Sequence, residues 1–398
     1  MTITKEKANS AVNWLVSSHF INDVFTGMLN PLMPFIAVKL NISMAIATII
    51  LSISHIFASV LQPLIGYFAD NIRRRGFVFW GLLMSSVFIS FAPGVNSKTL
   101  FIMFIILGSL GSSFFHPQAL GVVTQFLKLS GKDVAKGMGL FMGLGSFGYS
   151  LGPLVSSSIA QYWGLDKIAW VCILGITWTL TMFKFVPRIK LLEETPIKKF
   201  GIKEAFKDIL SNKDLNILFF IAMIKTLVIN SCTIFLPFLW KGMGYSKLFI
   251  GVALFIFLFV GGIATVVSPW VEKRFGTKSV LYFSMISTCP LLILFILTYK
   301  TLPLVALIAF VLTGAFAMMA SPVIMLLAQN IAPKYKSIIS GFVNGFAWGV
   351  IAIFMSGLGY IAENLGIINV LFWVSFVPVI SSIAIKWIKV ETKAIEKV

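Results

Sequence analysis

The chain has 398 residues, of which 58% are hydrophobic and only 12% charged, and 38 of them are phenylalanine. A soluble domain carries about 25% charged and about 45–50% apolar residues, so these proportions exclude a water-soluble globule, a disordered tail and a nucleic-acid-binding domain. The net charge of +18 would ordinarily point to polyanionic partners, and its meaning depends on where the bases sit.

Apolar stretches long enough to cross about 30 Å of hydrocarbon recur along the whole chain. They predict twelve spans, at 12–38, 44–69, 76–93, 99–127, 137–163, 167–186, 214–240, 248–271, 279–299, 302–331, 337–362 and 366–386. The expected fold is an all-α integral membrane protein of two six-helix halves, residues 1–186 and 214–398, joined by a polar, basic cytoplasmic linker at 187–213. The first span is too long for the apolar region of a signal peptide, lacks a small-residue cleavage site and follows a short polar tail.

The bases are distributed by loop. Lys39, Lys98, Lys167, Lys241, Lys247 and Lys300 fall on one side and Lys225 lies within a span; the rest of the 32 Lys and Arg fall on the other. The side richer in bases is the cytoplasmic one, which places both termini and the linker in the cytoplasm, in a cytoplasmic (inner) membrane. The excess charge is then a topological signal with added attraction for anionic lipid headgroups, and a nucleic-acid partner is not expected. Cys172, Cys232 and Cys289 lie inside apolar spans at no recurring spacing, as packing residues do, and form no disulfide framework or zinc motif.

The two halves echo each other. Pro34 matches Pro237 at an offset of 203 residues, and Gly139, Gly143 and Gly164 match Gly341, Gly345 and Gly366 at an offset of 202. Parallel repeats of this kind place a substrate site near the bilayer midplane, between halves that rock against each other.

Over essentially its full length the sequence resembles the major facilitator superfamily. The segment Gly66-Tyr67-Phe68-Ala69-Asp70-Asn71-Ile72-Arg73-Arg74-Arg75 looks like the superfamily's cytoplasmic signature between helices 2 and 3, with Asn71 in place of a base and Arg73 in place of a glycine. Its second-half counterpart, Pro269 to Lys278, keeps mainly Arg274, Gly276 and Lys278. By this resemblance Gly66 permits close helix approach, and Asp70 with Arg74 and Arg75 forms a charge cluster that holds one conformation closed. Two further segments, His19-Phe20-Ile21-Asn22-Asp23 and Phe115-His116-Pro117-Gln118-Ala119, resemble the fosmidomycin-resistance branch of proton-driven exporters. Gly148-Tyr149-Ser150-Leu151-Gly152-Pro153 looks like the helix-5 glycine–proline motif of antiporters, where Gly148, Gly152 and Pro153 would serve conformational change. General drug exporters commonly carry an arginine in helix 4 where this chain has Phe104.

Charges inside the spans are few. Of fourteen acids, Asp23 is the one expected deep in the membrane. A charge there costs roughly 2.5–3.5 kcal/mol on insertion scales and marks a pathway, which makes Asp23 the leading proton carrier. Lys225, in span 7, sits one position from the repeat mate of Asp23. Because helices 1 and 7 line the central cavity in the superfamily, the two are expected to face each other, with Lys225 pairing with Asp23 or holding an anionic substrate. All three histidines, His19, His55 and His116, are intramembrane. His19 shares a helical face with Asp23 and suits a proton relay. His116 precedes Pro117, where backbone hydrogen bonding is incomplete, and is a candidate for proton or substrate contact. His55 is expected to bridge helices. Asn22, Gln118 and Asn344 could hydrogen-bond a substrate, and Phe115, Trp240 and Trp348 could line the cavity. In span 5, Gly139, Gly143, Gly148 and Gly152 form small-residue pairs that let helices approach and slide. No ligand spacing points to a metal site, and the phosphate-binding loop of an ATP-driven pump, HExxH and GxSxG are all absent.

The expectation is a monomeric secondary transporter that is not an enzyme and needs no cofactor, with the proton gradient as its energy source. It would export a small organic molecule or drug by antiport. The alternatives are proton-coupled import of a small anionic metabolite or metal chelate and, outside transport, a membrane receptor, a channel or a membrane enzyme.

Overall fold

The computed structural model describes residues 3–62, 65, 76–187, 202–333, 339 and 341–389, and no strand occurs among them. The first expected span is built as α1 (Lys5–Gly27) and α2 (Met33–Lys39), joined through a short 3-10 turn at Asn30–Leu32. Pro31 and Pro34, which lack an N–H, stand in the first turns of the pieces that follow the break. The helix α3 (Met44–Ser59) begins at Ser43, whose hydroxyl accepts from the Ile46 N–H. Next come α4 (Gly76–Phe91), α5 (Lys98–Ser130), α6 (Val134–Tyr162) and α7 (Cys172–Phe185).

The linker contributes α8 (Ile202–Ser211), and Asn212 then caps α9 (Lys213–Gly242) through the Leu215 N–H. The remainder is α10 (Lys247–Phe275), α11 (Thr277–Thr298), α12 (Pro303–Ile331), α13 (Ala347–Leu365), entered through a π-helical turn at Gly341–Phe346, and α14 (Ile367–Ser382). Gly276 joins α10 to α11 in a single residue at φ +85°, a conformation open to glycine at little cost.

Among the described residues, ten helices are long and apolar enough to cross a membrane, and Met44–Ser59 is a shorter apolar helix. The side chains that face away from the bundle include Trp80, Trp170, Val266, Trp270, Leu297 and Trp373, each more than 60% exposed. An apolar exterior of this extent is the surface of a protein solvated by lipid. Inside the bundle, α1 packs on α5 and α6 and α4 on α5, while α12 packs on α10 and α11 and α9 on α14. The two sets of helices meet along two seams, α3 against α13 and α6 against α10.

Lipid tails are as apolar as these side chains, so the bundle is held by close packing and interhelical hydrogen bonds more than by hydrophobic burial. The glycines of α6 illustrate this. A Cβ on Gly148 or Gly152 would strike the carbonyl oxygens of Phe20 and Val24, and one on Gly27 would strike the Tyr149 carbonyl. Small residues on both helices let α1 and α6 touch backbone to backbone. Gly139 and Gly143 have nothing within 4 Å of a built Cβ, so only half of the expected glycine series makes this contact. The three cysteines are free and buried.

Candidate functional site

A polar cluster has formed inside the first set of helices. His19, Asn22 and Asp23 come from α1, one turn apart and on one face. Asp23 Oδ2 lies 3.2 Å from His19 Nε2, and Asp23 Oδ1 lies 3.4 Å from His116 Nε2 on α5. Asn22 Nδ2 donates to the same Oδ1 at 3.0 Å, and its Oδ1 accepts from the Ser85 hydroxyl of α4 at 2.7 Å. His19 Nδ1 is 2.8 Å from the carbonyl oxygen of Phe141 on α6. Four helices therefore fix one carboxylate.

The tautomer follows from these contacts. A carbonyl oxygen only accepts, so His19 Nδ1 must carry a hydrogen and donate it. In a neutral imidazole Nε2 is then a bare lone pair, and it faces an oxygen of Asp23. The short contact is a hydrogen bond only when the pair holds one further proton, as imidazolium with carboxylate or as imidazole with carboxylic acid. Removing that proton sets lone pair against carboxylate. The contact is therefore one that the gain or loss of a single proton would strengthen or weaken. The side chains of Asp23 and His116 keep 13% and 24% of their surface exposed, against 5% for His19.

His19, Asp23 and His116 could also present one ligand atom each to a metal ion, all within 4.8 Å of one another. As they stand, the two imidazoles contact the carboxylate directly, at 3.2 and 3.4 Å.

Lys225 departs from expectation. Its side chain is buried at 6% exposure, and Nζ donates to Ser321 Oγ of α12 at 2.7 Å. Among the described residues no carboxylate lies within 4.0 Å of it. Asp23 and Lys225 thus form no direct ion pair, and each belongs to a polar cluster in its own set of helices. Both Asp23 oxygens are committed to neighbours from α1 and α5, and Lys225 turns to α12. His116 and Ser321 share a sequence feature, since each immediately precedes a proline within its helix, Pro117 and Pro322. That signal could have singled out Ser321, whereas Ser85 and the Phe141 carbonyl carried none. The helix of His116 stays continuous through Pro117.

The other candidates divide. Gln118 is buried, and its Oε1 accepts from the Val78 N–H near the start of α4 at 2.8 Å. His55 sits in the seam between α3 and α13, its ring 5.5 Å from Trp348, and Nε2 has no hydrogen-bond partner among the described residues. Phe115 is buried beside His19, their rings 6.0 Å apart. Trp240 is buried among Phe249, Phe295 and Phe310, away from the polar clusters. Gly145, absent from the expected series, lies against the His19 ring so closely that a Cβ there would fall within its atoms. Gly66, Asp70, Arg74 and Arg75, and the side chain of Asn344, lie outside the described residues.

The family model of the Major Facilitator Superfamily matches residues 15–357. The chain belongs to that superfamily. It is a multi-pass membrane transporter by that membership, and two relatives extend over nearly all of it. The fosmidomycin resistance protein of Escherichia coli (strain K12) is 25% identical, covering 96% of this chain and 94% of that protein. The uncharacterized MFS-type transporter YfnC of Bacillus subtilis (strain 168) is also 25% identical, covering 92% and 90%. Among solved structures, the nucleoside transporter NupG superposes with a TM-score of 0.76 at 16% identity, over 94% of this chain and 98% of that one. A POT family transporter superposes at 0.74 with 14% identity, over 94% and 95%. At those identities the structural likeness concerns the fold.

Proposed function

We propose that this superfamily member is a proton-coupled antiporter that exports a small organic molecule from the cytoplasm by alternating access. The observation that carries the reading is the contact of Asp23 with His19 at 3.2 Å and with His116 at 3.4 Å. A carboxylate this deep in a helical bundle is costly unless it works, and Asn22, Ser85 and the Phe141 carbonyl hold it in register. The relative named for fosmidomycin resistance supports the export direction and a small-molecule substrate. Residues 1–186 and 214–398 serve as the two rocking bodies, with 187–213 as their tether, and both termini face the cytoplasm of a bacterial inner membrane. The transporter works as a monomer, draws on the proton gradient, and uses no cofactor and no enzymatic step.

Lys225 supplies the substrate contact in this reading. A buried ammonium whose hydrogen-bond partner among the described residues is a serine hydroxyl retains most of its capacity for an anion, and an anionic group arriving beside it would relieve the cost of burial. Asn344 and, after rearrangement, Asn22, His116 and Gln118 complete the polar lining. Gly66, Asp70, Arg74 and Arg75 at the cytoplasmic end, and Gly148, Gly152 and Pro153 in α6, serve the change of conformation. The same buried ammonium favours a second reading, proton-coupled import of a small anion.

The sign of the proton movement separates the two. In inside-out vesicles holding a lumenal pH dye and an acidic lumen, fosmidomycin and other small organic anions are added outside. Antiport makes the lumen more alkaline as substrate enters, whereas symport makes it more acidic. No response to any compound in purified, folded protein would remove both.

A further inference from the structure

The two seams between the helix sets carry matching contacts at the end of the bundle away from the chain termini. Glu363, at the end of α13, reaches across to α3 and accepts from the Ala45 N–H at 2.7 Å. Gln161, at the end of α6, reaches across to α10, and its Oε1 accepts from the Lys247 N–H at 3.2 Å. Each acceptor thus meets the first turn of a helix that already has its own serine cap, Ser43 on Ile46 and Ser246 on Phe249. The four residues are repeat mates: Glu363 matches Gln161, and Lys247 matches Ala45, both at the offset of 202 that relates the glycines of the two halves.

One turn deeper the correspondence continues. Gly359 of α13 packs on Thr48 of α3, and Gly251 of α10 packs on Ser157 of α6. Ser157 and Gly359 are again repeat mates at 202, and Thr48 and Gly251 match at 203. In each seam a small hydroxyl side chain of the first half nests against a glycine of the second. A Cβ on either glycine would overlap its neighbour, so the close approach of the helices at these points depends on the missing side chain.

We propose that these two seams form the outer gate, and that Glu363 and Gln161 are its latches, each capping a helix of the opposite half and holding that end closed. The amides in the first turn of a helix lack intrahelical partners and favour a negative or polar acceptor. When the halves separate, Ala45 and Lys247 lose that acceptor. Each latch therefore stabilises the closed end without touching the substrate, and the glycine–hydroxyl pairs below set how tightly it shuts. The inference rests on the reading that the halves rock, but its test requires neither substrate nor a proton gradient.

The test is thiol accessibility in the full-length protein with Cys172, Cys232 and Cys289 replaced by serine. Thr48→Cys or Ser157→Cys, buried in the closed seams, reports opening through its rate of labelling by a membrane-impermeant maleimide added at the outer face. Adding Glu363→Ala to the first reporter or Gln161→Ala to the second should raise the rate about fivefold, the population change for loss of one helix cap. Both substitutions together should multiply the effects. Glu363→Gln, which keeps an acceptor of the kind its mate uses, should restore slow labelling in correctly folded protein. Unchanged labelling in the Glu363→Ala, Gln161→Ala double variant would overturn the proposal, as would equally fast labelling in Glu363→Gln and Glu363→Ala.

Discussion

His19 donates through Nδ1 to the Phe141 carbonyl at 2.8 Å and presents Nε2 to Asp23 at 3.2 Å, so a hydrogen bond between the imidazole and the carboxylate requires one further proton on the pair. The α1–α6 contact that sets this geometry depends on glycines, because the Phe141 carbonyl, Gly145 and Gly148 all belong to the same face of α6. Packing and proton chemistry are therefore linked at one helix pair.

That link yields a prediction for Gly145. Alanine there places a methyl group in the space of the His19 ring, pushing it off the Phe141 carbonyl. Gly145→Ala should lower proton-coupled transport at least tenfold, while Gly143→Ala, whose Cβ meets nothing within 4 Å, should transport at the unsubstituted rate. Side-by-side flux assays in vesicles check both.

The helix contact itself can be tested by stability. Gly148→Ala drives a Cβ into the backbone carbonyl of Phe20, which cannot rotate away as a side chain could. Overpacking of this kind costs about 1–3 kcal/mol, so its thermal midpoint in detergent should fall by several degrees. Gly139→Ala, in open space, should leave it unchanged.

Lys225 separates stability from function. Replacing a buried, sparsely compensated charge by an apolar side chain of similar length is often neutral or stabilising. Lys225→Met should accordingly melt no lower than the unsubstituted protein, yet bind an anionic substrate at least tenfold more weakly in an equilibrium binding assay. Undiminished binding would remove Lys225 from the substrate site.

These residues also show what could be read from the sequence alone. The spans are legible because hydrocarbon thickness imposes a minimum apolar length, whereas the break at Asn30–Leu32 inside the first expected span is seen only in the structure. His19 and Asp23 were legible as a pair because helical periodicity alone brings residues four apart together. The link from Asp23 to His116 depends on how α5 docks against α1, which no local pattern encodes. The pairing of Asp23 with Lys225 was inferred from symmetry, but symmetry relates the helices, not their rotamers. Asp23 found nearer partners and Lys225 found Ser321. Gln118 was expected at a substrate, but its oxygen is engaged at the Val78 amide, a local role invisible without the position of α4. In α6 the spacing of small residues showed a close contact, but only the packing showed that Gly145, Gly148 and Gly152 make it and that Gly139 and Gly143 do not.

The central claim is that Asp23, with His19, holds the transported proton. The most direct measurement is lumenal pH in sealed vesicles containing Asp23→Asn, an isosteric change that keeps a polar group beside His19 and Asn22. The account predicts that substrate addition produces no more proton movement than in protein-free vesicles, while exchange of labelled for unlabelled substrate continues. Proton movement in Asp23→Asn equal to that of the unsubstituted protein would contradict it.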